Sequence, residues 1–169
     1  MGREVFVADT GNNRVQIFSD VGTFLGKWGR EGSSDGEFNG PSGIAIDEAK
    51  LVYVVDTGNH RVQKLDTNGA FFESWGTEGD EDRQFSRPEG IVVDGSGFVY
   101  VTDTGNNRVQ KLTTNGVFVW KWGTEGSGDG QFQGPTGIAI DESDGVVYVV
   151  DSGNHRVQTF TTAGIFIRG

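Results

Sequence analysis

The octet Asp9-Thr10-Gly11-Asn12-Asn13-Arg14-Val15-Gln16 is written four times, with its Asp at positions 9, 56, 103 and 151, so the copies recur at steps of 47, 47 and 48 residues. A period of that size marks a repeat architecture in which each copy is one supersecondary unit. Within the copies Asp, Gly, Asn, Arg, Val and Gln are invariant, and the position before the Arg alternates as Asn13, His60, Asn107 and His155. Length alone does not count domains in such a chain, because it grows by stacking units.

The second unit is complete and serves as a template. It runs Pro41-Ser42-Gly43-Ile44-Ala45-Ile46-Asp47, Leu51-Val52-Tyr53-Val54-Val55-Asp56, Arg61-Val62-Gln63-Lys64-Leu65 and Ala70-Phe71-Phe72-Glu73-Ser74-Trp75-Gly76. Each run is short, β-branched or aromatic, and bounded by Gly, Asp, Asn or Pro, which predicts four strands, a to d, joined by hairpins. The 28 glycines recur at fixed offsets beside these runs and read as turns. Strands a and b are almost continuously apolar, whereas c and d alternate with polar residues. A β-sandwich would expose one face of b and give strict alternation. Such a sheet, driest at its first strands and wettest at its last, fits sheets packed face to face around an axis with strand a innermost: an all-β propeller of four-stranded antiparallel blades.

Gly-Ile-Ala-Ile-Asp, then Val-Tyr-Val-Val-Asp, then Gly-Asn-His-Arg-Val-Gln, then Trp-Gly before a glycine-rich loop ending in Phe and Pro, resembles the NHL repeat of β-propellers. The resemblance covers essentially the whole chain. The family's Asn-His-Leu letters appear as Asn59-His60-Arg61 and Asn154-His155-Arg156. What the resemblance implies is a ring of about six blades, and functions ranging from scaffolds and protein or RNA binders to a minority of enzymes.

Unit one begins at strand b and unit four stops short of its strand d Trp. The expected organisation is a single propeller segment, 1–169, with a partial blade over 4–38, blades at 41–85 and 88–132, and a fourth at 135–169 clipped in its last strand. The expectation is an open arc of about four blades, completed by further chain or by self-association. In an antiparallel meander the d-to-a linkers and the b-to-c motif emerge on one face.

Composition narrows the function. Fourteen Lys and Arg against 24 Asp and Glu give a formal charge of −10, which repels phosphate backbones and makes nucleic acid an unlikely partner. Cysteine is absent, so there is no disulfide frame, thiolate cage or thiol nucleophile. Without a long apolar run or secretory h-region, the chain reads as soluble, with no signal peptide or transmembrane segment and no indication of compartment.

The repeated Asp and Arg (Asp9, Arg14, Asp56, Arg61, Asp103, Arg108, Asp151, Arg156) read as a structural turn motif rather than a ligand loop, because a single-ligand site seldom needs identical parts in every blade. Asp and Asn would tie off turn amides, Gly would take a positive φ, and Arg would pair with the Asp or cover an aromatic. His60 and His155 are the two histidines, separated by a blade bearing Asn107. A zinc lyase of propeller type, which would resemble this family, needs three converging imidazoles. No catalytic residues, metal ligands or cofactor are expected, and there is no Gly-X-Ser-X-Gly elbow.

What breaks the symmetry is the sharper pointer. Arg83 and Arg87 stand where neighbouring linkers have Gly36/Gly130 and Gly40/Gly134, and Trp120 stands where Gly26, Glu73 and Arg168 stand. The candidate binding face is therefore Asn13, His60, Asn107, His155, Arg83, Arg87 and Trp120. The leading expectation is a non-enzymatic scaffold for a protein or glycan partner. The alternatives are a fragment of a propeller hydrolase or metal-dependent lyase with its catalytic groups on other blades, and, less favoured, an RNA platform.

Overall fold

A computed structural model describes residues 4–169. Blade one is a three-stranded sheet of β1 (Glu4–Asp9), β2 (Arg14–Ser19) and β3 (Phe24–Trp28). Blade two has four strands, β4 (Pro41–Ile46), β5 (Val52–Asp56), β6 (Arg61–Leu65) and β7 (Phe71–Trp75), and the linker after it carries two short strands, β8 (Thr77–Glu78) and β9 (Gln84–Phe85). Blade three comprises β10 (Ile91–Val93), β11 (Phe98–Asp103), β12 (Arg108–Thr113) and β13 (Phe118–Trp122). Blade four comprises β14 (Pro135–Asp141), β15 (Val146–Asp151), β16 (Arg156–Thr161) and β17 (Phe166–Arg168). Every blade is an antiparallel meander of sequential strands.

The register explains why strand b is apolar on both sides. In β5, Val52 and Val54 turn toward blade one and join Val15, Phe38 and Leu65, while Tyr53 and Val55 turn toward blade three and join Trp75, Phe85, Val99, Val101 and Leu112. A third cluster, with Tyr100, Val109, Trp122, Phe132, Val147, Val149 and Phe160, welds blades three and four. Each fully buried aliphatic side chain here contributes about 1.5–3 kcal/mol. The core is thus a series of layers between blades.

Of the two strands expected to be dry, b is and a is not. Every residue of β5 is buried, whereas in β4 only Pro41 is buried and Ile46 is 38% exposed. The driest strand is the second, because it is sandwiched by neighbouring blades on both faces and paired on both edges. The inner strand has one free edge facing the axis. At the ends of the arc Val5 and Val7 on blade one, and Val150 and Val157 on blade four, are exposed.

The linkers are more ordered than their composition indicates. Each is pinched by a parallel contact: Thr77 and Glu78 pair with Gln84 and Phe85, and the same contact recurs as Glu31 with Phe38 and Glu125 with Phe132. Phe38, Phe85 and Phe132 are wholly buried, so each linker is anchored by one aromatic plug.

Candidate functional site

The motif begins where strand b ends. Asp56 closes β5, Thr57–Asn59 forms one 3-10 turn, and His60 takes the left-handed conformation (φ 54°) that reverses the chain into β6. Asn13, Asn107 and His155 do the same at φ 52°, 52° and 55°. The positive φ falls two residues after the glycine predicted to carry it. Gly58 is required for another reason: a Cβ there would sit 2.5 Å from the Asn39 side chain and 2.8 Å from its carbonyl oxygen, on a linker packed directly over the turn.

That linker is what the motif holds. The Asp56 carboxylate accepts hydrogen bonds from the Asn39 amide (2.7 Å), Asn59 (2.9 Å), Arg61 Nε (2.8 Å) and Gln63 (3.1 Å). Asn59 also donates to the Gly32 carbonyl (2.9 Å), Arg61 donates to Ser34 (2.9 Å) and Glu37 (3.1 Å), and Gln63 both donates to the Glu37 carbonyl (2.6 Å) and accepts from the Gly36 amide (2.9 Å). Asp103 with Arg108 and Gln110, and Asp151 with Arg156 and Gln158, repeat this clamp on the next two linkers. Backbone groups stripped of water are thereby satisfied. The Asp–Arg pairs lie at 2.7–2.8 Å, and Asp56, Asp103 and Asp151 are fully buried. Burial pushes the Asp151 carboxyl up, but the Gln133 amide, Asn154 and Arg156 outweigh it and hold the group below the usual carboxylate value.

The alternating position also points to a linker. Asn13 accepts from the Gly40 amide (2.7 Å), His60 Nδ1 from the Arg87 amide (3.2 Å) and Asn107 from the Gly134 amide (2.8 Å). His155 occupies the same backbone position and is exposed. Among the described residues no group of three or more His, Cys, Asp or Glu side chains is placed to hold a metal ion.

Blade three differs. Arg83 (φ 64°) and Arg87 (φ 46°) hold left-handed backbone at positions where the other linkers place Gly36 (75°), Gly130 (73°), Gly40 (61°) and Gly134 (61°). Their amides make the same bonds as those glycines, to Gln110 (3.0 Å) and His60. Their side chains are exposed, and among the described residues neither guanidinium pairs with a carboxylate. Rim pairing instead involves Lys121 and Asp82 at 2.8 Å. Beside them an open cleft is lined by Trp120, Lys121, Asp80 and Glu125. Trp120 is 55% exposed on the free edge of the blade, opposite Lys111. In blade two the equivalent pair is Glu73 and Lys64, joined at 2.9 Å, with Lys64 also donating to Thr114 and Asn115 of blade three. Lys111 instead rides over Phe98 at 4.1 Å and donates to Thr162.

The blade geometry and the clamp agree with the family comparison, in which the NHL repeat matches residues 38–65, 85–112 and 132–160, half of the chain. The chain belongs to the NHL repeat family. Each match runs from a linker phenylalanine through strand c, so the NHL unit coincides with one plug and one motif. Among curated proteins no sequence matches significantly. Solved structures share the fold: a streptogramin B lyase (TM-score 0.73, 19% identity, 98% of this chain and 50% of that one) and a nidogen/laminin complex (0.73, 20%, 96% and 58%). An inactive variant of virginiamycin B lyase from Staphylococcus aureus with quinupristin is similar too (0.70, 15%, 98% and 51%). The NHL chain spans about half the length of the structures it matches.

Sequence reasoning singled out the motif, the two arginines and Trp120, but missed Lys64 as a bridge between blades and Lys121 as the rim partner. The spacing of Lys64 and Glu73 across a hairpin was the signal for the first. Nothing local signalled the second, since Lys121 and Asp82 meet through the linker's folding. No helix among the described residues is long and apolar enough to cross a membrane.

Proposed function

We propose that the chain is a non-enzymatic binding module whose docking area is the blade-three flank, formed by Trp120 with Arg83 and Arg87, and whose partner is a protein segment carrying an apolar anchor and carboxylates. The observation that carries this reading is that the departures from the repeat fall on one blade and the linker that enters it. A half-exposed Trp on an edge strand, where sibling blades carry Gly26, Glu73 and Arg168, sits on a cleft reached by the arginine-bearing linker. Trp and Arg are the side chains over-represented at binding hot spots. Two left-handed arginines cost about 1–2 kcal/mol each relative to the glycines of the sibling linkers, which marks them as candidates for function. A fold neighbour captured in a nidogen/laminin complex supports protein binding as a use of this architecture.

The test is a displayed peptide library selected on the native chain and counter-selected on Trp120→Glu, which installs the blade-two residue opposite Lys111. Selected peptides are expected to carry an aromatic or aliphatic anchor near Asp or Glu. They should bind at least tenfold more weakly to Trp120→Glu and to the Arg83→Gly/Arg87→Gly variant. Peptides that bind all three proteins equally, or binding only on a glycan array, would overturn the assignment.

A further inference from the structure

Lys64 is the one buried lysine among the described residues, at 7% exposure. Its Nζ meets three oxygens: Glu73 Oε1 (2.9 Å) on the adjoining strand, and the Thr114 carbonyl (2.9 Å) and Asn115 side-chain carbonyl (3.0 Å) on a turn of the next blade. That turn is fixed from both sides. The Thr114 amide donates to the Gly97 carbonyl (3.1 Å), and a Cβ on Gly116 would sit 2.4 Å from the Trp75 ring. An amine, a carboxamide and a carboxylate are thus held on one another, with Nζ 5.8 Å from the centre of the Tyr53 ring. Asn115 itself is exposed, so its amide nitrogen has a way out to solvent.

An ion pair accounts for Lys64 with Glu73, but not for the amide brought onto them. The other seams show that the fold does not require this combination. Between blades one and two the equivalent positions are Ile17, Gly26 and Asn68, which line one cleft. Between blades three and four they are Lys111, Trp120 and Ala163, with Lys111 donating to the Thr162 carbonyl (3.2 Å). One seam therefore has the amide without the lysine, one has the lysine without the amide, and the middle seam has both together with a carboxylate.

We propose that Lys64 and Asn115 join in an intramolecular isopeptide bond, with Glu73 as the proton carrier. A lysine amine freed of its proton is a nucleophile, and a carboxylate within hydrogen-bond reach serves as its base. Glu73 takes a proton from Nζ, rotation of the Asn115 side chain turns Cγ toward the amine, and the Nζ–Cγ bond forms. The Cγ–Nδ2 bond breaks as two protons pass from Nζ through Glu73 to Nδ2, which leaves as ammonium. Nothing is oxidised or reduced. Holding both reactants on a paired strand and a pinned turn supplies the proximity that such an amide exchange needs. The product ties together residues 51 apart in sequence and welds blade two to blade three. This inference is independent of the blade-three flank.

The experiment is intact-mass spectrometry of the denatured native chain, followed by proteolysis and sequencing of any branched peptide. A chain one ammonia lighter than its sequence is expected, with a branched peptide joining Lys64 to Asn115 and with Asn68 and Lys111 unchanged. Lys64→Arg, Asn115→Ala and Glu73→Gln should each restore the full mass, with tryptophan fluorescence reporting that the variants are folded. An Asn-Gly step such as Asn115-Gly116 can also lose ammonia by closing to a succinimide. That product would persist in Lys64→Arg and open in mild alkali, whereas the isopeptide survives alkali and needs Lys64. The inference is overturned by full mass in the native chain after prolonged incubation, or by an ammonia loss that persists in Lys64→Arg. It is equally overturned if Glu73→Gln forms the crosslink as readily as the native chain.

Discussion

Each motif aspartate works as an acceptor for a whole turn. At Asp151 one carboxylate takes the Gln133 amide, Asn154, Arg156 and Gln158 at 2.7–3.1 Å. A buried ion pair of this kind is costly to break, because removing one partner leaves the other charge unmatched. Asp151→Asn is therefore expected to lose about 3 kcal/mol in urea unfolding, and the pH dependence carries its signature. Because folding lowers the Asp151 pKa, its contribution is complete above the unfolded value of about 3.9 and is lost as pH falls through the lower folded value. The native chain's urea midpoint should drop steeply below about pH 4, and Asp151→Asn should flatten that drop. Parallel curves would show that the carboxylate is not what binds the linker.

At the scale of elements, the recurring tryptophans tie the outer strand of one blade beneath the c-to-d turn of the next. Trp28, Trp75 and Trp122 lie against Gly69, Gly116 and Gly164, leaving no room for a Cβ. Their indole N–H groups meet no acceptor among the described residues, so the rings act through apolar packing. Trp75→Ala should cost about 3–5 kcal/mol, while Trp120→Ala, at a half-exposed edge, should stay within about 0.5 kcal/mol. Chemical denaturation of the two variants side by side checks this contrast. Strand number, order and hairpin joints were legible because Val-Tyr-Val-Val and its copies encode two buried faces directly. The relative dryness of strands a and b was not, since it depends on which edge meets the axis. The parallel pinch inside each linker was hidden for a similar reason: Phe38 is wholly buried by residues of two blades, and no local pattern in Glu31–Phe38 announces it.

Over the whole molecule, identity and divergence do different work. The motif repeats because every linker needs the same clamp, and His60 and Asn107 share one backbone contact despite their different chemistry. The candidate site was legible as a set of departures from the repeat, but its meaning needed backbone angles and exposure: that Arg83 and Arg87 are left-handed, and that Trp120 borders their linker, is invisible in a string of letters. If these three residues serve binding rather than folding, returning them to sibling residues should not harm the fold. The most direct measurement is the thermal midpoint of Arg83→Gly/Arg87→Gly/Trp120→Glu. Relief of two left-handed side chains at about 1–2 kcal/mol each should raise it by roughly 4–16 °C for a chain of this size. A midpoint below that of the native chain would show that the departures are structural, and would contradict the placement of function on blade three.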